Sequence, residues 1–437
     1  MSRPRKLDLE KCFDNSLKAV RDLVPPEKIR EVARETKFIK RGRKVCPVFF
    51  FWNLVLGFGC SAQRTLAALK RQYEVIAAEE IVPSAFYDRF SGELVEFLKK
   101  IFSWMLESAV FPKALKGRLA ELVSDVKIFD STIIKLFEGL KKEFPGVSSP
   151  AAAKVSVIMS LSSHTAETVT IHAGKKADLK TIRLGPWVKN NLLLFDLGYF
   201  KFGFFARIMQ LGGHFISRLR SDANPKIIAI HKTHRGRAIP LVGKTIKEVR
   251  DLLRREEIDV EVELEFEKRS YRGKPGKHEQ LVLRLVGQRN QETESYHFYL
   301  TDLPPESLSV SEVAALYRGR WFIELLFKEL KSKYALDRIG TSNKNIVHAL
   351  IYTALITLTT SRVMYHAYQA EVALSRKTVK PLRWATIFKE RSSGVLYGIL
   401  RASGFDDLTI TRMLKLTFAE SIDPTPGRWQ LEEVFSL

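Results

Sequence analysis

The chain has 437 residues, 45% of them hydrophobic and 27% charged, with 24 glycines and 17 prolines. That length holds roughly three domains at about 150 residues each, and the composition excludes a wholly disordered, collagen-like or proline-rich chain. Lys and Arg number 71 against 49 Asp and Glu, a net charge of +22 spread along the chain, so the expected partner is a polyanion: DNA, RNA or an anionic membrane surface.

Residues 1–110 carry helix-like apolar spacing over 9–23, 26–36, 47–57, 62–73 and 91–106, punctuated by Pro25-Pro26 and Pro83-Ser84. Arg3, Arg5, Lys6, Lys40, Arg41, Arg43 and Lys44 make this part strongly basic. From 123 the pattern turns to short strands at 126–130, 154–161, 167–173, 191–197 and 214–219, with a helix over 200–211. The run at 191–197 is nearly all apolar, as in a strand buried on both faces. Over 223–310 alternation at period two predicts more strands, at 258–266, 281–286 and 296–300, with a turn at 272–277. One long helix is expected over 309–334 and further helices over 343–437. Strands followed by a helix and another strand indicate a mixed α/β sheet.

Cys12, Cys46 and Cys60 are too few and too scattered for a disulfide framework or a zinc site. His231 and His234 sit in a basic stretch and read as surface residues. The expected cofactors are therefore oxygen-liganded metals or none. No apolar run follows residues 1–6 as in a signal peptide. The apolar stretches 45–59 and 346–361 fall short of the roughly 20 residues of a membrane span and read as buried helices. The expectation is a cytoplasmic protein with no membrane partner.

Three acids stand out by position. Asp130 ends the strand 126–130, and Asp196 closes the apolar run that begins at 191. Acids at strand ends lie where α/β sites collect, although either also reads as a turn or helix-cap aspartate. Glu324 lies in the segment 317–331. At 100° per residue, Tyr317, Arg320, Glu324 and Lys331 fall within roughly 60° of arc. Leu316, Ile323, Leu326, Phe327, Leu330 and Tyr334 form the adjoining apolar stripe. Glu329 falls away from the polar arc and reads as a solvated charge. The plain alternative for the arc is a set of helix ion pairs, Arg320 with Glu324 and Glu324 with Lys328 or Lys331. Three converging carboxylates can hold two Mg²⁺ ions about 3.5–4 Å apart, since hard Mg²⁺ prefers oxygen ligands. Arg320 and Lys331 beside them would clamp phosphate, and a phosphodiester substrate accounts for the charge of the chain.

The spacing Tyr317-x2-Arg320-x3-Glu324-x6-Lys331 resembles the Y-R-E-K signature of the insertion-sequence-four family of DDE transposases. Asp130-Ser131-Thr132 is similar to the segment of its first aspartate, and Asp196-Leu197-Gly198-Tyr199 to that of its second, with Leu197 where arginine is often found. Phe215-Ile216-x-Arg218-Leu219-Arg220 and Thr301-Asp302-Leu303 resemble two further family segments. Asp130 and Asp196 are 66 positions apart, and Asp196 and Glu324 are 128 apart, room for the family's β-strand insertion.

The resemblance implies an α/β fold: an RNase H-like mixed sheet core interrupted by a β-rich insertion domain, with helical N-terminal and C-terminal regions. The expected plan is a DNA-binding region at 1–110, the first part of the core at 111–222, the insertion at 223–310, the second part of the core with the Glu helix at 311–375, and a helical region at 376–437 with dimerisation as its candidate role. Asp130, Asp196 and Glu324 would bind two Mg²⁺ ions, with Mn²⁺ able to replace them. Tyr317, Arg320 and Lys331 would hold phosphates. Trp321 would stack on a flipped base or be a core tryptophan. Arg218 would touch DNA or the carboxylates. The implied activity is cut-and-paste transposition through a DNA hairpin, by a homodimer bridging inverted-repeat ends before joining them to target DNA. The rival readings are an RNase H-like nuclease without strand transfer, and a transposase-derived DNA-binding protein that no longer cuts.

Overall fold

The structure, a computed structural model, describes residues 8–39, 45–60, 65–109, 115, 118–163, 165–232, 240–268, 277–337, 339–374 and 380–405. The basic positions Arg3, Arg5, Lys6, Lys40, Arg41, Arg43 and Lys44, together with His234 and the turn at 272–276, lie outside these residues. The chain divides into two compact units, one of Met1–Val110 with Glu329–Leu437 and one of Phe111–Lys328.

In the first unit the N-terminal helices are α1 (Leu9–Leu23), α2 (Pro26–Glu35), α3 (Pro47–Trp52), α4 (Leu66–Ala77), α5 (Pro83–Tyr87) and α6 (Gly92–Ser108). Their starts follow local chemistry. The Asp8 carboxylate accepts from the backbone N–H of Lys11 to cap α1, and proline occupies the first turn of α2, α3 and α5. The expected helix at 47–57 changes type midway: α3 continues into a π-helical turn, Asn53–Phe58.

The second unit holds α7 (Arg118–Leu122) and a single nine-stranded sheet. Its strands are β1 (Asp125–Lys135), β2 (Ala152–Ser160), β3 (Thr165–Ala173), β4 (Asn191–Phe195), β5 (His214–Arg218), β6 (Lys226–Ile230), β7 (Glu257–Lys268), β8 (Lys277–Arg289) and β9 (Tyr296–Thr301). Their order is β3-β2-β1-β4-β5-β9-β8-β7-β6. The first three strands pair antiparallel and β1, β4 and β5 pair parallel, the RNase H-like arrangement. The strands of 223–310 extend that same sheet, because β9 pairs antiparallel with β5 and carries β8, β7 and β6 beyond it. Helix α8 (Phe202–Gln210) packs Phe205 and Ile208 into an aromatic core with Phe129, Phe195 and Phe215, and the short α9 (Ile246–Val249) joins β6 to β7. Every residue of β4 is buried, as its nearly all-apolar run predicts.

Two sequence expectations need correction here. The helix expected over 309–334 is two helices, α10 (Val310–Arg318) and α11 (Trp321–Ser332). Ser309 and Glu312 start α10 with reciprocal side-chain and backbone bonds. At Gly319 and Arg320 the backbone tightens to three-residue bonds, Gly319 N–H to Leu316 O and Arg320 N–H to Tyr317 O. A Cβ at Gly319 would lie 2.8 Å from Leu316 O and 3.0 Å from Leu161 Cδ2, so this close turn suits glycine. A single helical wheel therefore does not run through 317–331. Second, Glu329 is not solvated: it is 1% exposed and accepts at 2.5 Å from Arg362, whose partner position 33 residues away no helical wheel contains.

The first unit resumes with α12 (Lys344–Leu374), α13 (Pro381–Glu390) and α14 (Ser392–Ala402), while 406–437 of the proposed dimerisation segment lies outside the described residues. Helix α12 is long and apolar enough to cross a membrane by composition, but 78% of its most apolar window is buried in the fold. Its threonines are accommodated there by bonding to carbonyls one turn back, Thr353 to Ala349 O and Thr357 to Thr353 O, both at 2.8 Å. Thr357 also donates to Val55 O of the π-helical turn at 2.8 Å.

Candidate active site

Strand register brings the two aspartates together. Phe129 lies beside Phe195 in the parallel β1–β4 pair, Phe195 beside Ser217 in β4–β5, and Arg218 opposite Tyr299 in β5–β9. One residue on from Phe129 and Phe195, the row across four strands reads Asp130, Asp196, Arg218, Tyr299. Side chains alternate between faces along a strand. Asp130 and Asp196 therefore share the face of Ile128 and Leu194, opposite the aromatic core of Phe129 and Phe195. Asp196 stands at the end of β4, as expected. Asp130 does not end its strand: β1 continues to Lys135 because β2 pairs with it throughout, and what stops at Phe129 is the parallel ladder with β4.

Asp130 is mostly buried and its Oδ1 accepts from the Ser131 backbone N–H at 2.7 Å. Burial pushes its carboxyl up to about 6; the Ser131 bond and Arg320 oppose the rise, while Asp196 and Asp178 add to it. Asp178, from the loop after β3, had no signal in the sequence. Its Oδ1 accepts from Ser131 Oγ at 2.8 Å and from the buried Lys154 ammonium at 2.7 Å, which ties the loop to β1 and β2. Only the fold reveals this acid, since Ser131 and Lys154 are 47 and 24 positions from it.

Tyr317 closes α10 over the row. Its hydroxyl donates to Phe195 O at 3.3 Å, and its ring lies 5.1 Å from that of Tyr299. Burial pushes the phenol up to about 12, so it remains a donor. Arg218 is exposed and its guanidinium reaches His297 Nδ1 at 3.1 Å. Burial, and Arg218 itself, lower the His297 pKa, which keeps that nitrogen free to accept. The sequence does not mark Tyr299 or His297, because the place of each beside Arg218 depends on β9 pairing with β5.

Arg320 joins the third acid to the first. Its Nη2 donates to Glu324 Oε1 at 2.6 Å and its Nη1 lies 3.6 Å from Asp130 Oδ2. The ion pair Arg320–Glu324 that helical spacing allows is thus formed, and the same guanidinium reaches the strand acid. Trp321 is 57% exposed, which removes the reading of a core tryptophan. Lys331 lies in the last turn of α11, in the chain segment of the other unit. Among the described residues no three acidic, histidine or cysteine side chains are gathered closely enough to hold one metal ion.

Paired acids beside the end of a parallel ladder, a helix glutamate and an overall basic chain are features of a DDE-type nucleic-acid enzyme. The family model described as "Transposase DDE domain" matches residues 121–360, more than half of the chain, and the chain belongs to that family. The match spans all three acids and the Y-R-E-K signature, and it bears out the resemblance to insertion-sequence DDE transposases. The chain is 27% identical to the transposase for insertion sequence element IS1151 of Clostridium perfringens, over 84% of each chain. It is 24% identical to the transposase for IS231F of Bacillus thuringiensis subsp. israelensis, over 77% of this chain and 76% of that one. A cryo-EM structure of the piggyBac transposase synaptic complex with hairpin DNA aligns with a TM-score of 0.44 and 10% identity, covering 98% of this chain and 88% of that one. The protein is a DDE transposase, and enzymes of this family use divalent metal ions.

Proposed function

We propose that this protein excises its own insertion sequence from DNA and joins it to a target, with Asp130, Asp196 and Glu324 as the acids that hold two Mg²⁺ ions. The register row that sets Asp130 beside Asp196, with Arg320 linking Asp130 to Glu324, supports the assignment most directly. The chemistry of the donors suits the ions: three hard carboxylates, with the ionised form of desolvated Asp130 favoured by any cation placed against it. When bound, the metals supply activation of the attacking water or 3′-hydroxyl and stabilisation of the leaving oxygen.

The chain's own residues bind and orient. Asp130 is mostly ionised at pH 7 or above, as a ligand must be. Arg320 exchanges its carboxylate partners for a DNA phosphate, which it can hold with two parallel bonds. Tyr317 supplies a neutral hydroxyl donor, and Arg218 and Lys331 supply further positive charge for the strand. Exposed Trp321 stacks on an extruded base. Hydrolysis breaks a phosphodiester P–O bond at each element end and frees a 3′-hydroxyl. That hydroxyl attacks the opposite strand to give a hairpin, water reopens it, and the 3′-hydroxyl then attacks target DNA. Region 1–110 binds the inverted repeats, 111–222 with 311–375 forms the RNase H-like core around the 223–310 insertion, and 376–437 supports the homodimer that bridges two ends. The protein acts in the cytoplasm.

The test is a plasmid carrying the native gene with its flanks, incubated with purified protein and Mg²⁺. The expected product is a released linear fragment with hairpin ends on a denaturing gel. Asp130→Asn, Asp196→Asn and Glu324→Gln should bind the flanks yet release nothing. Cleavage at the wild-type rate by any of the three overturns the acid assignment. Open ends discard the hairpin, a nick without joining favours the nuclease reading, and binding without any cleavage favours the DNA-binding derivative.

A further inference from the structure

A second polar site adjoins Asp130 within the same unit. A cavity of about 360 Å³ runs from Phe129 and Asp130 across β2 and β3 and under the loop at 176–187, within the size range of ligand pockets. Val157, Ile158, Ile182 and Trp187 give it apolar walls, and Lys176, Lys180 and Arg183 supply three cations.

Ser156 lies in its lining, 8% exposed, and its Oγ has no hydrogen-bond partner. A buried hydroxyl left unpaired costs free energy unless a ligand or water meets it. Beside it the polar wall is already ordered. Lys176 Nζ lies 3.1 Å from His172 Nδ1, His172 Nε2 lies 2.9 Å from Thr170 Oγ1, and Thr170 donates to Thr181 O at 3.4 Å. Lys154 holds the loop closed over this wall through Asp178 and the Lys176 carbonyl.

We propose that this cavity binds a nucleotide, with the base against Trp187 and the apolar wall, its edge on Ser156 and the threonine hydroxyls, and its phosphate on Lys176, Lys180 and Arg183. A flat ring with a polar edge matches apolar walls lined by hydroxyls, and cations clustered at the same cavity match phosphate. Neither a hydrocarbon chain nor a bare anion uses both features. The nucleotide is either an unpaired residue of a DNA strand, or free in solution.

The test uses the full chain in EDTA, so that cleavage plays no part. The probes are 2-aminopurine deoxynucleoside monophosphate and a short single strand carrying one 2-aminopurine, followed by fluorescence. Saturable quenching is expected. Ser156→Val, which replaces the hydroxyl with methyl groups, and Lys180→Gln with Arg183→Gln on exposed side chains, should each weaken it by about tenfold or more. An abasic strand should compete poorly. Quenching of the strand alone identifies DNA as the source, and quenching of the monophosphate without competition from the strand identifies a free nucleotide. No saturable quenching with either probe, equal competition by the abasic strand, or unchanged affinity in the Lys180/Arg183 variant overturns the site. The last comparison stands even if Ser156→Val fails to fold. Because binding is read without cutting, failure here leaves the transposase reading untouched, and an inactive enzyme leaves this site testable.

Discussion

Asp130→Asn should abolish cleavage and yet make the folded protein more stable. Raising a carboxyl from its ordinary 3.8 to about 6 corresponds to about 3 kcal/mol at roughly 1.4 kcal/mol per tenfold. The sign follows from proton linkage. Below the ordinary value both states hold the proton and nothing is lost. Between 3.8 and about 6 the unfolded chain ionises first, so stability falls as pH rises. Above about 6 the folded state carries the whole deficit. Asparagine keeps an oxygen for the Ser131 N–H but never carries the charge. In EDTA at pH 8 the variant should unfold about 6–12 °C higher, at ~2–4 °C per kcal/mol for a unit of this size. At pH 4.5 the advantage should shrink to about 1 kcal/mol. Added Mg²⁺ should raise the wild-type midpoint more than the variant's, since only the folded site binds it. Thermal unfolding by circular dichroism reads all three. A variant no more stable than wild type at pH 8, or an advantage unchanged at pH 4.5, would refute the account of a desolvated carboxylate.

Three further perturbations follow from the packing. Gly319→Ala places a methyl 2.8 Å from Leu316 O and 3.0 Å from Leu161, and should cost ~1–3 kcal/mol in thermal unfolding while disturbing the Arg320–Glu324 geometry. Arg362→Met strands buried Glu329 without its 2.5 Å partner and should cost ~3–5 kcal/mol in urea unfolding; Glu329→Leu with Arg362→Met should restore most of that loss. His214 is bound to Asp302 at 2.7 Å, and that bond raises its pKa. The contribution is complete below the ordinary histidine value and disappears as pH rises through the raised one, so His214→Gln should destabilise more at pH 5.5 than at pH 8.5 when the midpoints are compared.

The elements that sequence reading placed well are those whose determinants are local. The nearly all-apolar run of β4, the proline-started helices and the alternating β7 each carry their signal within a dozen residues, so their outlines survive in the structure. The spacing of Tyr317, Arg320, Glu324 and Lys331 is a local signal of the same kind, and it led to the family that the matched region 121–360 confirms. The turn at Gly319 was hidden because the apolar period continues across it, and the reason for the break, a close approach to Leu161, lies 158 residues away in the chain.

By itself, then, the amino-acid sequence determined which residues could do this chemistry and which strands and helices would carry them, since residue type and periodicity act over one or two turns of chain. Tertiary structure alone decided which of them meet. The row of Asp130, Asp196, Arg218 and Tyr299 exists because β4 lies between β1 and β5 and β9 returns beside β5. Asp178 meets Ser131, and Arg362 meets Glu329, likewise across segments distant in the chain. Strand order and long-range ion pairs are settled by burial of the whole core, a sum over contacts between distant segments that no local pattern records.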